Sequence, residues 1–170
     1  MQHLGVPVAA VPTTLLSNNP HYPTMRGRVL DADLLDDLLV GVEERGLVDT
    51  CAILLTGFLG SAENGLVVAR FVERAKARNP ALRYCCDPVM GDADLGFFVD
   101  EALREVFRER LVPLAEIITP NQFEFEYLVG FATEDSQALR RGVDILSARL
   151  ARIVLVTGFG LGEASAARVD

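Results

Sequence analysis

Apolar positions along the chain alternate between two patterns. Short unbroken apolar runs, read as strands, occupy 6–12 (VPVAAVP), 51–60 (CAILLTGFLG), 82–88 (LRYCCDP), 116–120 (EIITP) and 152–158 (RIVLVTG). Between them, leucines, valines and phenylalanines recur at helical spacing over 31–46, 61–79, 99–111, 121–130 and 134–150. Asp31 and Ser61 sit where N-caps are expected, with Asn64 in the place of a capping-box Glu; Gly46 and Pro80 mark stops. The segment 13–27, rich in Ser, Asn, Pro and Gly, reads as a long loop of a kind that tends to be functional. Apolar strands alternating with helices imply one α/β domain over 1–170, built on a parallel sheet covered on both faces. No repeat, low-complexity tract or linker interrupts it.

Composition narrows the function more than the fold. The chain is 50% hydrophobic, with 24 acidic against 16 basic side chains and a formal net charge of −8. That charge repels phosphate backbones and argues against nucleic acid and anionic membranes as partners. No apolar run approaches the roughly 18 residues of a membrane span, and the first residues do not read as a secretory leader. Cys51, Cys85 and Cys86 are odd in number and in part adjacent, which is neither a disulfide framework nor zinc spacing; they read as small apolar residues in a reducing cytoplasm. With His3 and His21 the only histidines, a histidine metal site is nearly excluded. Lys76 is the only lysine, and no phosphate-binding G-x-x-x-x-G-K-[ST] loop exists.

In open α/β sheets, ligands bind beyond the carboxyl ends of the strands. The stretches that follow the strands here are TGFLG (56–60), DPVMGD (87–92), TPNQFE (119–124) and TGFGLG (157–162), all rich in turn and acceptor residues. Thr119 is expected as an N-cap with Pro120 at the first helical position. Asn121 and Glu124 share a helix face near that N-terminus, where an amide and a carboxylate suit either simple capping or a hydrated Mg²⁺ beside phosphates. TGFGLG has G-x-G-x-G spacing rather than G-x-G-x-x-G, and reads as a turn into a hairpin rather than a dinucleotide loop.

The stretches SNNPHYPTMRGRVL, LTGFLGSAENG, CDPVMGD, ITPNQFEFEYLVG and VLVTG, in this order, resemble the pyridoxal kinases of the ribokinase-like superfamily over about residues 4–160. The resemblance implies a three-layer α/β/α sandwich with a mostly parallel sheet, incomplete at both ends. It implies transfer of the γ-phosphate of ATP to the 5′-hydroxymethyl group of pyridoxal, pyridoxine or pyridoxamine in vitamin B6 salvage. It further implies Mg²⁺, often K⁺ or Na⁺, and a cytosolic homodimer. By position, Asp87 would lie near the ATP phosphates, Asp92 would help place a cation, and Thr119 would sit at the monovalent-ion or phosphate site. Asn121 and Glu124 would address ATP–Mg²⁺. Thr157 and Gly158 match the family's Thr-Ser at the nucleotide pocket, with a glycine replacing the serine. On the substrate side, Asn19, Pro20 and His21 occupy the ring-binding loop, where Pro20 replaces a hydroxyl-bearing Thr. Phe58 stands where a Tyr often faces the ring; it reads equally as core packing.

The family's Gly-Thr-Gly-Asp segment, which supplies an anion hole and the base, has no counterpart in the sequence, so no catalytic base is assigned. The expectation is a central portion of such a kinase that is inactive or very weak by itself. Two other readings remain open: a hydroxymethylpyrimidine kinase of the same superfamily, and a non-catalytic remnant that binds nucleotide or serves as a dimerisation partner.

Overall fold

A computed structural model describes residue 3 and residues 5–18 and 22–160. The chain begins with an antiparallel ribbon, β1 (Thr14–Leu16) and β2 (Gly27–Val29), and continues into helix α1 (Ala32–Glu44). Strand β3 (Ile53–Thr56), helix α2 (Ala62–Arg78) and strand β4 (Arg83–Cys86) form the first crossover unit. A two-residue ribbon follows, β5 (Gly91–Asp92) with β6 (Gly96–Phe97). Helix α3 (Glu101–Val106) runs on through a wider π-type turn at Phe107–Leu111 to β7 (Ile117–Ile118), α4 (Gln122–Val129), α5 (Ser136–Ser147) and β8 (Ile153–Val154).

Strands β3, β4, β7 and β8 pair in that order as a four-stranded parallel sheet. The α/β class and parallel sheet expected from the apolar runs are therefore present. The strands are shorter than the runs because only the residues in register with a neighbour complete the ladder. The helices fall close to their expected bounds. Ser61 caps α2 by accepting from the Asn64 amide at 3.2 Å. Asp31 occupies the N-cap position of α1 without a side-chain bond. Gly130, in the left-handed conformation at φ 83°, ends α4 where a side chain would be strained.

Three expectations change. Residues 6–12 form no strand; Pro7 and Pro12 withhold ladder donors, and the first pairing instead lies within the supposed loop, at Thr14↔Val29. Thr119 is not the cap of α4. The helix begins two residues later than Pro120 suggested, capped by Asn121, whose side chain and Glu124 form a complete capping box. The described residues cover the second face of the sheet only in part, at the central Cys85 and Ile117. The row Thr56, Cys86, Ile118 and Val154 faces the helices, with Tyr84 fully buried on the same side. On the opposite face, Ile53, Leu55, Ile153 and Leu155 remain 54–58% exposed. Continuous apolar patterning cannot distinguish a strand covered on both faces from one covered on a single face.

The core lies between the sheet and α2, where Val67, Val68, Phe71, Val72 and Ala75 pack with Leu103, Phe107 and Leu111. The buried Tyr84 hydroxyl is satisfied by Thr56 Oγ1 at 2.8 Å. Cys85 and Cys86 are buried free thiols on β4, as expected of apolar strand residues. No helix among the described residues is long and apolar enough to cross a membrane.

Candidate functional site at the carboxyl ends of the strands

Because the central strands are parallel, the segments leaving β3, β4, β7 and β8 emerge on one side. Backbone bonds extend the ladder past the strand ends: Asp87 N–H to the Thr56 carbonyl at 3.0 Å, and Thr119 N–H to the Cys86 carbonyl at 3.1 Å. Thr157 N–H donates to the Pro120 carbonyl at 2.9 Å, and Gln122 N–H to the Thr157 carbonyl at 3.1 Å. Asp87, Thr119, Asn121 and Thr157 are thereby brought side by side.

The Thr119 hydroxyl donates to Asp87 Oδ1 at 3.1 Å. Asn121 is committed at both ends of its amide: Oδ1 accepts from the Glu124 N–H at 2.9 Å, and Nδ2 donates to the Gly91 carbonyl at 2.7 Å. Glu124 is 4% exposed. Its Oε1 accepts from the amides of Met90 at 2.8 Å and Gly91 at 3.3 Å, and its Oε2 from the Asn121 amide at 2.9 Å. Gly91 is required for close approach, since a Cβ there would stand 2.5 Å from the Gly96 carbonyl oxygen and 2.9 Å from the Phe123 ring. Asp92 is engaged locally: its Oδ1 accepts from the amides of Asp94 at 3.0 Å and Leu95 at 2.7 Å, shaping the β5–β6 turn.

Burial raises the Asp87 carboxyl above its ordinary value, and the Thr119 hydroxyl offsets only part of this. Burial also raises Glu124, against the pull of its three backbone donors, and the neighbouring charge of Asp87 adds to the rise. Among the described residues neither carboxylate has an ion-pair partner. The neighbouring thiols are poor nucleophiles: burial pushes Cys86 up to about 12, and burial followed by the Asp87 charge raises Cys85.

No group of three or more His, Cys, Asp and Glu side chains that could hold a metal ion forms among the described residues. Mg²⁺ needs no such group, since it binds through one or two carboxylates and keeps water and substrate phosphates as its other ligands. Asp87, with Oδ2 free of any described hydrogen bond, beside the first turn of α4, meets that requirement.

Thr157 and Gly158 lie exposed at the rim. Phe58 is half-buried after β3, its carbonyl accepting from Thr13 Oγ1 at 2.6 Å. Asn19, Pro20 and His21 lie outside the described residues. The structure adds two participants that the sequence reading missed. Phe98, 48% exposed, faces Phe58 with ring centroids 6.5 Å apart. Gln122 ties the last described turn to α4, accepting from the Gly160 amide at 3.4 Å and donating to the Thr133 carbonyl at 3.1 Å. The doubled aromatic Phe97-Phe98 was the available signal for the first; nothing local signalled the second.

A family model described as phosphomethylpyrimidine kinase matches residues 1–170. A pyridoxal kinase PdxY of Rubrobacter xylanophilus is 45% identical over 130 residues, covering 76% of this chain and 45% of that protein. A pyridoxal kinase PdxY of Granulibacter bethesdensis is 38% identical, covering 100% of this chain and 61% of that protein. A solved pyridoxal kinase from Leishmania donovani in complex with ADP and pyridoxine superposes with a TM-score of 0.86 at 26% identity, covering 94% of this chain and 55% of that one. The chain spans about half the length of the relatives it matches.

Proposed function

The chain belongs to the phosphomethylpyrimidine kinase family, and from that premise we propose that its strand-end site takes the phosphates of ATP with Mg²⁺. The phosphoryl group would pass to the 5′-hydroxymethyl group of pyridoxal, pyridoxine or pyridoxamine. The observation that carries this is Asp87, half-buried, raised by desolvation and without an ion-pair partner among the described residues, beside the first turn of α4 that buried Glu124 holds in place. Support for the substrate comes from relatives named pyridoxal kinase and from the ADP and pyridoxine held by the Leishmania donovani protein.

Mg²⁺, when bound, supplies neutralisation of phosphate charge. Asp87 offers it a carboxylate oriented by the Thr119 hydroxyl, and Asp92 stands on the adjoining turn. Asn121 and Glu124 hold the 90–91 backbone against α4. Thr157 and Gly158 border the nucleotide. Phe58 and residues 19–21 take the pyridine ring. The same reading adds K⁺ or Na⁺ near Thr119, a homodimer, and a cytosolic setting that suits free Cys51, Cys85 and Cys86.

We assign no proton acceptor among the described residues: backbone amides engage Asp92 and Glu124, and Asp87 is given to the cation. The reading sets turnover by this chain alone very low, with binding of ATP–Mg²⁺ as its measurable property.

The family's description favours a second reading, a hydroxymethylpyrimidine kinase. One experiment separates the outcomes: calorimetry with ATP–Mg²⁺, followed by a panel of B6 vitamers and hydroxymethylpyrimidine. Heat of binding with phosphorylation near background supports the proposal. Absence of binding removes the nucleotide reading, and preferential phosphorylation of hydroxymethylpyrimidine selects the second.

A further inference from the structure

We infer that Glu124 is a positioning residue rather than a cation ligand: its carboxylate clasps the Met90–Gly91 backbone to the N-terminus of α4 and so sets the shape of the turn that follows Asp87. The inference rests on the strand-end site proposed above.

Each Glu124 oxygen is already used. Oε1 receives two amides from a segment more than thirty residues away in sequence, and Oε2 receives the amide of its own N-cap residue. Asn121 completes the clasp from the other side, Nδ2 to the Gly91 carbonyl and Oδ1 from the Glu124 amide. Gly91 therefore has its N–H and its C=O both held by side chains of the α4 cap, and Met90, fully buried, anchors the same segment in the core. Turning the carboxylate toward a cation would strand the buried amides of Met90 and Gly91 and break a capping box, a costly exchange for groups out of reach of water. Asp87 makes one described hydrogen bond, from Thr119 to Oδ1, and needs no such exchange.

The charge and the bonds from Met90 and Gly91 are separable here, and Glu124→Gln separates them. The amide side chain keeps a carbonyl oxygen that can accept from Met90 and Gly91, and loses the charge and the bond from Asn121. Glu124→Ala loses everything. The readouts are backbone amide exchange without nucleotide or metal, and the Mg²⁺ concentration giving half-maximal ATP binding. In Glu124→Gln, protection at Met90 and Gly91 is expected to persist while that at Asn121 falls by about tenfold, the scale of one lost buried hydrogen bond. The half-maximal Mg²⁺ concentration should stay within about threefold of the parent, because the charge is not what the cation uses. In Glu124→Ala all three amides lose protection. The inference is overturned if Glu124→Gln keeps protection at Met90 and Gly91 yet shifts the Mg²⁺ requirement tenfold or more, or if neither variant changes protection. A parent protein that binds no ATP–Mg²⁺ would sink the nucleotide reading, while the exchange pattern would still decide whether the clasp exists. Should Glu124→Ala fail to fold, the Glu124→Gln exchange pattern decides alone.

Discussion

Glu116 and Glu124 lie at opposite ends of one strand–turn–helix unit and are buried to a similar degree, 8% and 4% exposed. Glu116, just before β7, accepts from Lys76 Nζ at 2.6 Å and from the Tyr84 amide at 2.8 Å. Burial pushes its carboxyl up, but the lysine and the amide outweigh this, and the net shift is downward. Glu124, in the first turn of α4, has three backbone donors and no cation, and its net shift is upward. At Glu124 the three neutral donors do not offset the desolvation and the neighbouring Asp87 charge, whereas at Glu116 the ammonium group together with the amide does. The chain spends its single lysine at the amino end of the sheet and leaves Asp87 and Glu124 without one at the carboxyl end, where a ligand arrives.

The largest effect should come from breaking the paired side. Lys76→Met leaves Glu116 buried and uncompensated, and unfolding in urea should register a loss of about 3 kcal/mol at neutral pH. Glu116 has a depressed folded value, so its contribution is present above its unfolded value and fades as pH falls through the folded one. The variant and parent should converge in acid. Equal losses at all pH values would mean the lysine acts through packing alone.

Removing a charge from the unpaired side should do the opposite. Asp87→Asn relieves a carboxylate raised by burial, so unliganded stability at neutral pH should hold or rise slightly, while ATP–Mg²⁺ affinity falls by about tenfold or more, as expected for the loss of a charge-assisted contact. A stability loss like that of Lys76→Met would show that Asp87 is structurally paired and erase the contrast. A smaller test is Thr119→Val. It takes away the hydroxyl that orients Asp87 and should cost about 1 kcal/mol of stability, read by the same unfolding measurement. No change would show that the Thr119–Asp87 bond contributes nothing.

Much of this was legible in the sequence, for reasons that differ by residue. The helices α1 and α2 were readable because their ends carry local signals, Asp31 and Gly46 on one and Ser61 and Pro80 on the other. The start of α4 was misplaced because Pro120 and the Asn121-to-Glu124 spacing gave competing signals, and the capping box prevailed. The β1–β2 and β5–β6 ribbons escaped notice because short pairings depend on partners elsewhere: Thr13 is held by Phe58, and Gly91 fits only against Gly96 and Phe123. At the site, the acids themselves were evident, but their partners were not. That Glu124 holds Met90 and Gly91 and that Phe98 faces Phe58 are long-range facts of packing, whereas the bonds by which Asp92 shapes its own turn are local. The exposure of Ile53, Leu55, Ile153 and Leu155 was hidden for a similar reason, since the apolar pattern does not state what covers it.

The contrast between the paired and unpaired acids is tested most directly by the protons exchanged when ATP–Mg²⁺ binds. A carboxyl with a raised folded value is partly protonated just above the ordinary carboxylate range, and a cation must displace that proton. Calorimetry near pH 5, in two buffers of different ionisation enthalpy, should therefore report net proton release on binding, diminished in Asp87→Asn and fading toward neutral pH. Binding with no proton release at the lower pH, identical in parent and variant, would contradict the account.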